Sequence, residues 1–214
     1  MKIGIVGSGN MGAALGTIWA GKGHQVMFSY AKDANKLNRL ANSNSQTTQG
    51  TVEEAVAFAE VVMLAIPYPS MEEVLAHKTI YQNKVVITCV SGLQPDFSGD
   101  TIGLSTKLSI SVAEHISHVL QNSKVVEAFN ITFAEILQIP SRELDGNKPS
   151  IFYCGDDVSA KEIVADLIED CDYVPINAGG LRTARSLETL ATSWVQFAVV
   201  AGLFPRIAMH SLQY

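Results

Sequence analysis

Three glycines near the amino terminus carry the clearest chemical signal in the chain, at the spacing Gly7-x-Gly9-x-x-Gly12 within Gly7-Ser8-Gly9-Asn10-Met11-Gly12. This is the spacing of a dinucleotide-binding turn. The first glycine allows a tight turn, the second lets a pyrophosphate approach bare backbone, and the third lets a helix close onto a strand. The amides at the helix start then hold the diphosphate. Ile3, Ile5 and Val6 supply a buried strand before the turn, and Met11, Ala14, Leu15, Ile18 and Trp19 recur at helical spacing after it. The motif therefore sits in the strand, turn and helix context that it needs.

A second chemical choice lies at the end of the next apolar strand, His24 to Tyr30. In NAD-binding turns an acidic side chain about 20 residues past the glycines bonds the ribose hydroxyls. Here that place reads Phe28-Ser29-Tyr30-Ala31-Lys32, with no carboxylate until Asp33. A 2'-phosphate is the better match, with Ser29 as a hydrogen-bond donor and Lys32 or Lys36 as the charge. The expected cofactor is NADP.

Stepping from these residues to the elements around them, Val61 to Ile66 is a continuous apolar run of the kind found in central parallel strands. Pro67-Tyr68-Pro69 ends it, and such a turn at a strand's carboxyl end borders the ligand crevice. Ile66, Pro67 and Tyr68 are thus candidate cofactor contacts, with Tyr68 either stacking near the nicotinamide or packing on the turn. Lys84 to Val90 is the next strand, with Ser91 at its ligand-facing end; Lys124 to Asn130 is another, with Ala128 and Asn130 there. Asn130 can orient a carbonyl or amide, or make a loop bond. Thr51-Val52-Glu53-Glu54 reads as a capping box opening a short helix, and Asp157 as a helix cap. Leu93 to Thr106 reads as a long loop and a candidate substrate-pocket wall.

These elements alternate as expected for an α/β, Rossmann-type, doubly wound and mainly parallel sheet over residues 1–180. Residues 181–214 read as a helical extension, apolar on more than one face, packed on the sheet domain and on a second subunit of a homodimer. With 214 residues, 47% of them hydrophobic, the chain can bury a sizeable core as one domain. Its net charge of −6 is dispersed and no basic block occurs, which argues against nucleic acid as a partner. The apolar run from Trp194 to Phe204 contains Gln196 and Gly202 and is too short to span a bilayer. No signal peptide is expected, because the first apolar run is committed to the strand. Cys89, Cys154 and Cys171 fit no metal spacing and read as reduced core thiols of a cytoplasmic protein. His115 and His118 read as surface residues, so no metal site is expected.

Several separated motifs make the chain resemble the coenzyme F420-dependent NADP oxidoreductases and the related cytosolic reductase domain of the STEAP metalloreductases. Gly7 to Gly12 is like that family's GTGNLG turn, Ile66-Pro67-Tyr68 like its Ile-Pro-Trp, and Val125-Val126-Glu127-Ala128-Phe129-Asn130 like its VVKAFN. Tyr153 to Asp157 is similar to its CGDD, and Asn177 to Glu188 to its DAGPLxxARxxE. The departures are Tyr30-Ala31-Lys32 where the family carries arginine, Ser91-Gly92 where it carries Asn-Pro, and Glu127 where it carries lysine. The resemblance implies hydride transfer between a nicotinamide and a small-molecule acceptor, F420 or a flavin such as FMN or FAD. That chemistry asks the protein mainly to align two rings and exclude water, in keeping with the lack of any catalytic constellation, and no catalytic side chain is assigned. Two other readings stand beside it: a dehydrogenase or reductase of a small carbonyl or imine, and a non-catalytic NADP-binding sensor domain.

Overall fold

The computed structural model describes residues 1–94, 103–104 and 109–212. In chain order the elements are Lys2–Val6 (β1), Asn10–Gly21 (α1), Gln25–Ser29 (β2), Ala34–Ala41 (α2), Thr47–Gln49 (β3), Val52–Phe58 (α3) and Val61–Leu64 (β4). They continue with Met71–Leu75 (α4), Val85–Thr88 (β5), Leu93–Gln94 (β6), Gly103–Leu104 (β7), Val112–Val119 (α5), Lys124–Glu127 (β8) and Ala134–Gln138 (α6). Ser150–Gly155 (β9), Val158–Asp170 (α7), Val174–Asn177 (β10) and Ala184–Val200 (α8) complete the chain.

One sheet runs β10-β9-β8-β5-β4-β1-β2-β3. Strand order reverses at β1, whose neighbours are β2 on one side and β4 on the other, so the crevice opens beyond the carboxyl ends of these strands. β1, β4 and β5 are apolar because helices cover both of their faces, and all four residues of β4 and of β5 are buried. One face packs on α1 and α7 around Ile3, Ile5, Trp19, Phe129, Val164 and Leu167; the other packs on α4, α5 and α8 around Val6, Leu64, Val112, Ile116 and Leu187. Trp19 locks the first face, being fully buried, edge-on to Phe129 at 6.0 Å and donating from Nε1 to Leu167 O at 2.9 Å.

The Rossmann-type, mainly parallel sheet is as expected, with differences of detail. β9 pairs antiparallel with β8, and β10 follows β9 in parallel, so this edge runs against the other six strands of the sheet. The edge strand β3, whose three residues pair with β2, was not expected from the sequence. In the helical extension expected over residues 181–214, with a break near Phe204 at Gly202 and Pro205, α8 ends at Val200, and the following segment turns back to β9, where Ser150 N donates to Met209 O at 2.7 Å. Most of the long loop expected over 93–106 lies outside the described residues; within it β6 and β7 pair antiparallel.

Candidate functional site

The glycine turn is built against two strand ends. Gly7 has φ +105°, and a Cβ there would collide with the Ala65 carbonyl just past β4. A Cβ at Gly12 would collide with the Gly7 carbonyl, so only glycine lets α1 sit this close to the turn. Gly9 differs, with nothing within 4 Å of the position its Cβ would take. The bare backbone of Gly9 faces open space at the start of α1.

That helix start has no side-chain cap and no acidic residue in its first turn. By contrast Asp33, Thr51, Ser111 and Asp157 each accept a backbone amide at the starts of α2, α3, α5 and α7. First-turn amides lack intrahelical acceptors and favour an anion. The amides of Asn10, Met11 and Gly12 thus suit a diphosphate, and the space beside Gly9 admits one.

A cavity of about 410 Å³ opens on this turn. Of the expected residues, Gly7, Ser8, Gly9, Tyr30, Lys32, Lys36 and Pro67 line it; Ala31, Asp33, Ala65 and Ser70, which sequence reasoning did not place in the site, complete the wall. Ser70 carried no sequence signal; it ends the 3-10 turn Tyr68–Ser70 that Pro67 opens. Tyr30 turns the chain at φ +54° and its hydroxyl donates to Glu73 Oε2 at 3.1 Å, tying the exit of β2 to α4. Lys32 and Lys36 make no ion pair among the described residues. Asp33, the one carboxylate in the wall, caps α2 through Asn35 N at 2.9 Å and lies 3.6 Å from Arg39. Its charge is already partly answered, which leaves the two lysines available to a phosphate.

Ser29 is a correction. Expected to donate to a phosphate, it is fully buried, and its hydroxyl donates to Ile5 O at 2.9 Å. Ser8 likewise donates from Oγ to Ser29 O at 2.9 Å, while Gly7 N and Ser8 N donate to Ser29 O and Tyr30 O. These bonds stitch the turn to β2. Both serines are structural in this geometry, although Ser8 also borders the cavity. Ile66 is buried, and Tyr68 is partly buried against the same apolar layer. Gly12, Ile66, Ser91, Ala128 and Asn130 do not line this cavity, and Ala128 is fully buried. Asn130 follows β8 at the same end of the sheet, with its side-chain amide buried and unpaired among the described residues. Asn10 and Met11 contribute only the helix start.

Among the described residues no group of three or more His, Cys, Asp or Glu could hold a metal, and no helix is long and apolar enough to cross a membrane.

Residues 2–92 match the family model described as NADP oxidoreductase, coenzyme F420-dependent. Metalloreductase STEAP3 of Rattus norvegicus is 29% identical over 208 residues, which cover 95% of this chain and 40% of the relative. The chain thus spans about two fifths of that relative's length. F420-dependent NADP reductase of Methanocaldococcus jannaschii is 27% identical over 202 residues, covering 89% of each chain. A solved structure from Arthrobacter sp. FB24, described as an F420-dependent NADP-reductase, superposes with TM-score 0.85 at 22% identity over 100% of both chains.

The fold is of the Rossmann type, and the turn and the relatives make the chain similar to NADP-dependent oxidoreductases of that fold. Within that class the chain is similar to the coenzyme F420-dependent NADP oxidoreductases, with a second likeness to the STEAP metalloreductases.

Proposed function

We propose that the protein transfers a hydride between NADP(H) and a deazaflavin (F420) or a flavin acceptor, acting as a cytoplasmic homodimer. The observation that carries the nucleotide half is the uncapped start of α1 beside the open backbone of Gly9, in a cavity whose opposite wall holds Lys32 and Lys36. The amides of Asn10, Met11 and Gly12 hold the diphosphate, and the two lysines hold the 2'-phosphate. Tyr30 and its bond to Glu73 shape the wall between them, and Pro67 closes the side next to β4. When bound, the nicotinamide supplies the hydride. The chain's own task is to align the rings and exclude water. The acceptor assignment rests on the family match over residues 2–92 and the archaeal relative.

The dimer half rests on α8 and the residues after it. Phe197 is 60% exposed and Val200 68%, and Leu203 and Phe204 continue the apolar surface. Such a patch marks an association surface. The three free cysteines, two of them buried, suit a reducing cytoplasm.

The test is a fluorescence titration of the purified protein with NADPH and NADH, followed by addition of F420 and of FMN. Tighter binding of NADPH and hydride transfer to either acceptor are expected. Protein that binds NADPH yet reduces neither acceptor would overturn the assignment and favour the sensor reading.

A further inference from the structure

Across the carboxyl end of the sheet, register pairs Leu64 with Thr88, Thr88 with Glu127, and Glu127 with Cys154. Register partners project from one face of a sheet. Here that face is the apolar layer under α5 and α8, to which Leu64, Cys154, Val112, Ala113, Ala184 and Leu187 belong. Glu127 is thus a carboxyl group in the middle of a hydrophobic layer. It is 0% exposed, and neither of its oxygens has a hydrogen-bond partner among the described residues.

Glu188 projects from α8 into the same layer, 1% exposed. Its Oε1 accepts from the amides of Val112 at 2.6 Å and Ala113 at 3.3 Å, at the start of α5, while Oε2 has no partner among the described residues. A carboxylate on a helix start is well placed for negative charge. Two carboxylates together in this layer are not, because each loses hydration and repels the other.

We propose that Glu127 and Glu188 share one proton, carried by Glu127 and donated to Glu188 Oε2, and that this bond fastens α5 and α8 to β8 at the crevice. It satisfies Glu188 Oε2 and one oxygen of Glu127 at once, and it leaves a single negative charge beside the α5 amides. The two are positioning residues: they set the wall of the crevice without touching a ligand. The consequence for turnover rests on the proposed hydride transfer; the shared proton does not.

The surrounding charges fit a single ionised member. Glu114 on α5 is taken up by Arg185 on α8 at 2.7 Å and 2.8 Å, so Arg185 is committed elsewhere. Cys154 on β9 is the register partner of Glu127, and Cys89 after β5 packs on the other face of the sheet; burial raises both thiols to about 12. Asp156 adds negative charge near Cys154, and the Asn130 amide lies beside Glu127 without reaching hydrogen-bond geometry. Burial, then the Glu188 charge, pushes Glu127 well above the ordinary carboxylate range, and burial raises Glu188 to about 7.

The pair holds one proton in the folded state that the unfolded chain has lost, so stability falls as pH rises from the unfolded carboxylate value through the folded one. The experiment follows the glutamate side-chain carboxyl carbons by 13C NMR in the wild-type protein, with Tm between pH 5.5 and 8.5 for wild type, E127Q and E127K. One glutamate protonated above pH 6, a Tm fall of roughly 5 °C over the range, and a flatter profile in both variants are expected. In E127Q the amide still donates to Oε2 but brings no titrating proton, so the Glu188 carbon titrates at lower pH. All glutamates titrating below pH 5.5, or variants that keep the wild-type slope, would overturn the shared proton. Loss of acceptor reduction with the carboxyl titration intact would instead overturn the hydride-transfer reading alone.

Discussion

At the residue scale, the structure separates side chains that line the cavity, such as Lys32 and Lys36, from side chains that hold the turn, such as Ser29. Replacing Lys32 and Lys36 together with alanine is expected to weaken NADPH by roughly tenfold or more, about 1.4 kcal/mol, with NADH little changed in the same fluorescence titration. Equal weakening of both nucleotides would remove the phosphate contact. The glycines differ in the same way. Gly9→Ala places a methyl in open space at φ −68°, so the melting temperature should hold while NADPH binding drops. Gly12→Ala drives a methyl into the Gly7 carbonyl and should lower the yield of folded protein before any binding is measured. Ser29→Ala should cost about 1 kcal/mol or more in urea unfolding, because its hydroxyl bonds Ile5 O inside the core, with nucleotide affinity of the folded protein unchanged. The glycine spacing and the acid-free end of β2 were legible from residue order. The fate of Ser29 was not, because a serine at a strand end has the same sequence signature whether it faces a ligand or the neighbouring strand's carbonyl.

At the element scale, local chemistry marks beginnings better than partners. Thr51 and Glu54 form the expected capping box, with Thr51 N donating to Glu54 Oε2 at 2.8 Å and Glu54 N to Thr51 Oγ1 at 3.2 Å. Thr51→Ala should cost about 1 kcal/mol, read as a shift in denaturant midpoint at constant m. Asp157 caps α7 through Ala160 N at 2.8 Å, also as expected. β3 escaped sequence reading because its three mostly polar residues become a strand only by pairing with β2. The reversal of β9 and β10 escaped it for a similar reason: an apolar strand run does not encode its direction relative to a neighbour. The end of α8 was legible within a few residues: Gly202, expected to break the helix, has φ +66° and takes the chain out of it and back toward β9.

At the scale of the molecule, opposing groups set how stability depends on pH. Glu114, held by Arg185, lies at about 2, and hydrogen bonding to Arg142 holds Asp172 below its ordinary value. Folded values below the unfolded ones contribute stability above the unfolded carboxylate pKa, and that stability is lost as pH falls through them. Glu127 and Glu188 act in the other direction as pH rises toward 7. Their sum predicts a melting temperature that peaks on the acid side of neutrality, near about pH 5, rather than at pH 7; a scan from pH 3 to 9 checks it. Association belongs to this scale too. Sedimentation equilibrium at micromolar concentration should give a dimer, and charged replacements at Phe197 and Val200 should give a monomer that still binds NADPH.

Residue order by itself determined the glycine turn, the alternation of strands and helices, and the likeness to a family of NADP oxidoreductases. All of these rest on short-range spacing: three glycines, apolar periodicity and capping side chains. Tertiary structure alone decided which face each side chain reached. It buried Ser29 in the β1–β2 seam, brought Ser70 and Asp33 into the cavity wall, and set Glu127 of β8 in the same apolar layer as Glu188 of α8. The physical reason is that a buried carboxyl, or a hydroxyl pointing inward, is defined by neighbours many residues away in the chain, and only the packed sheet brings those neighbours together.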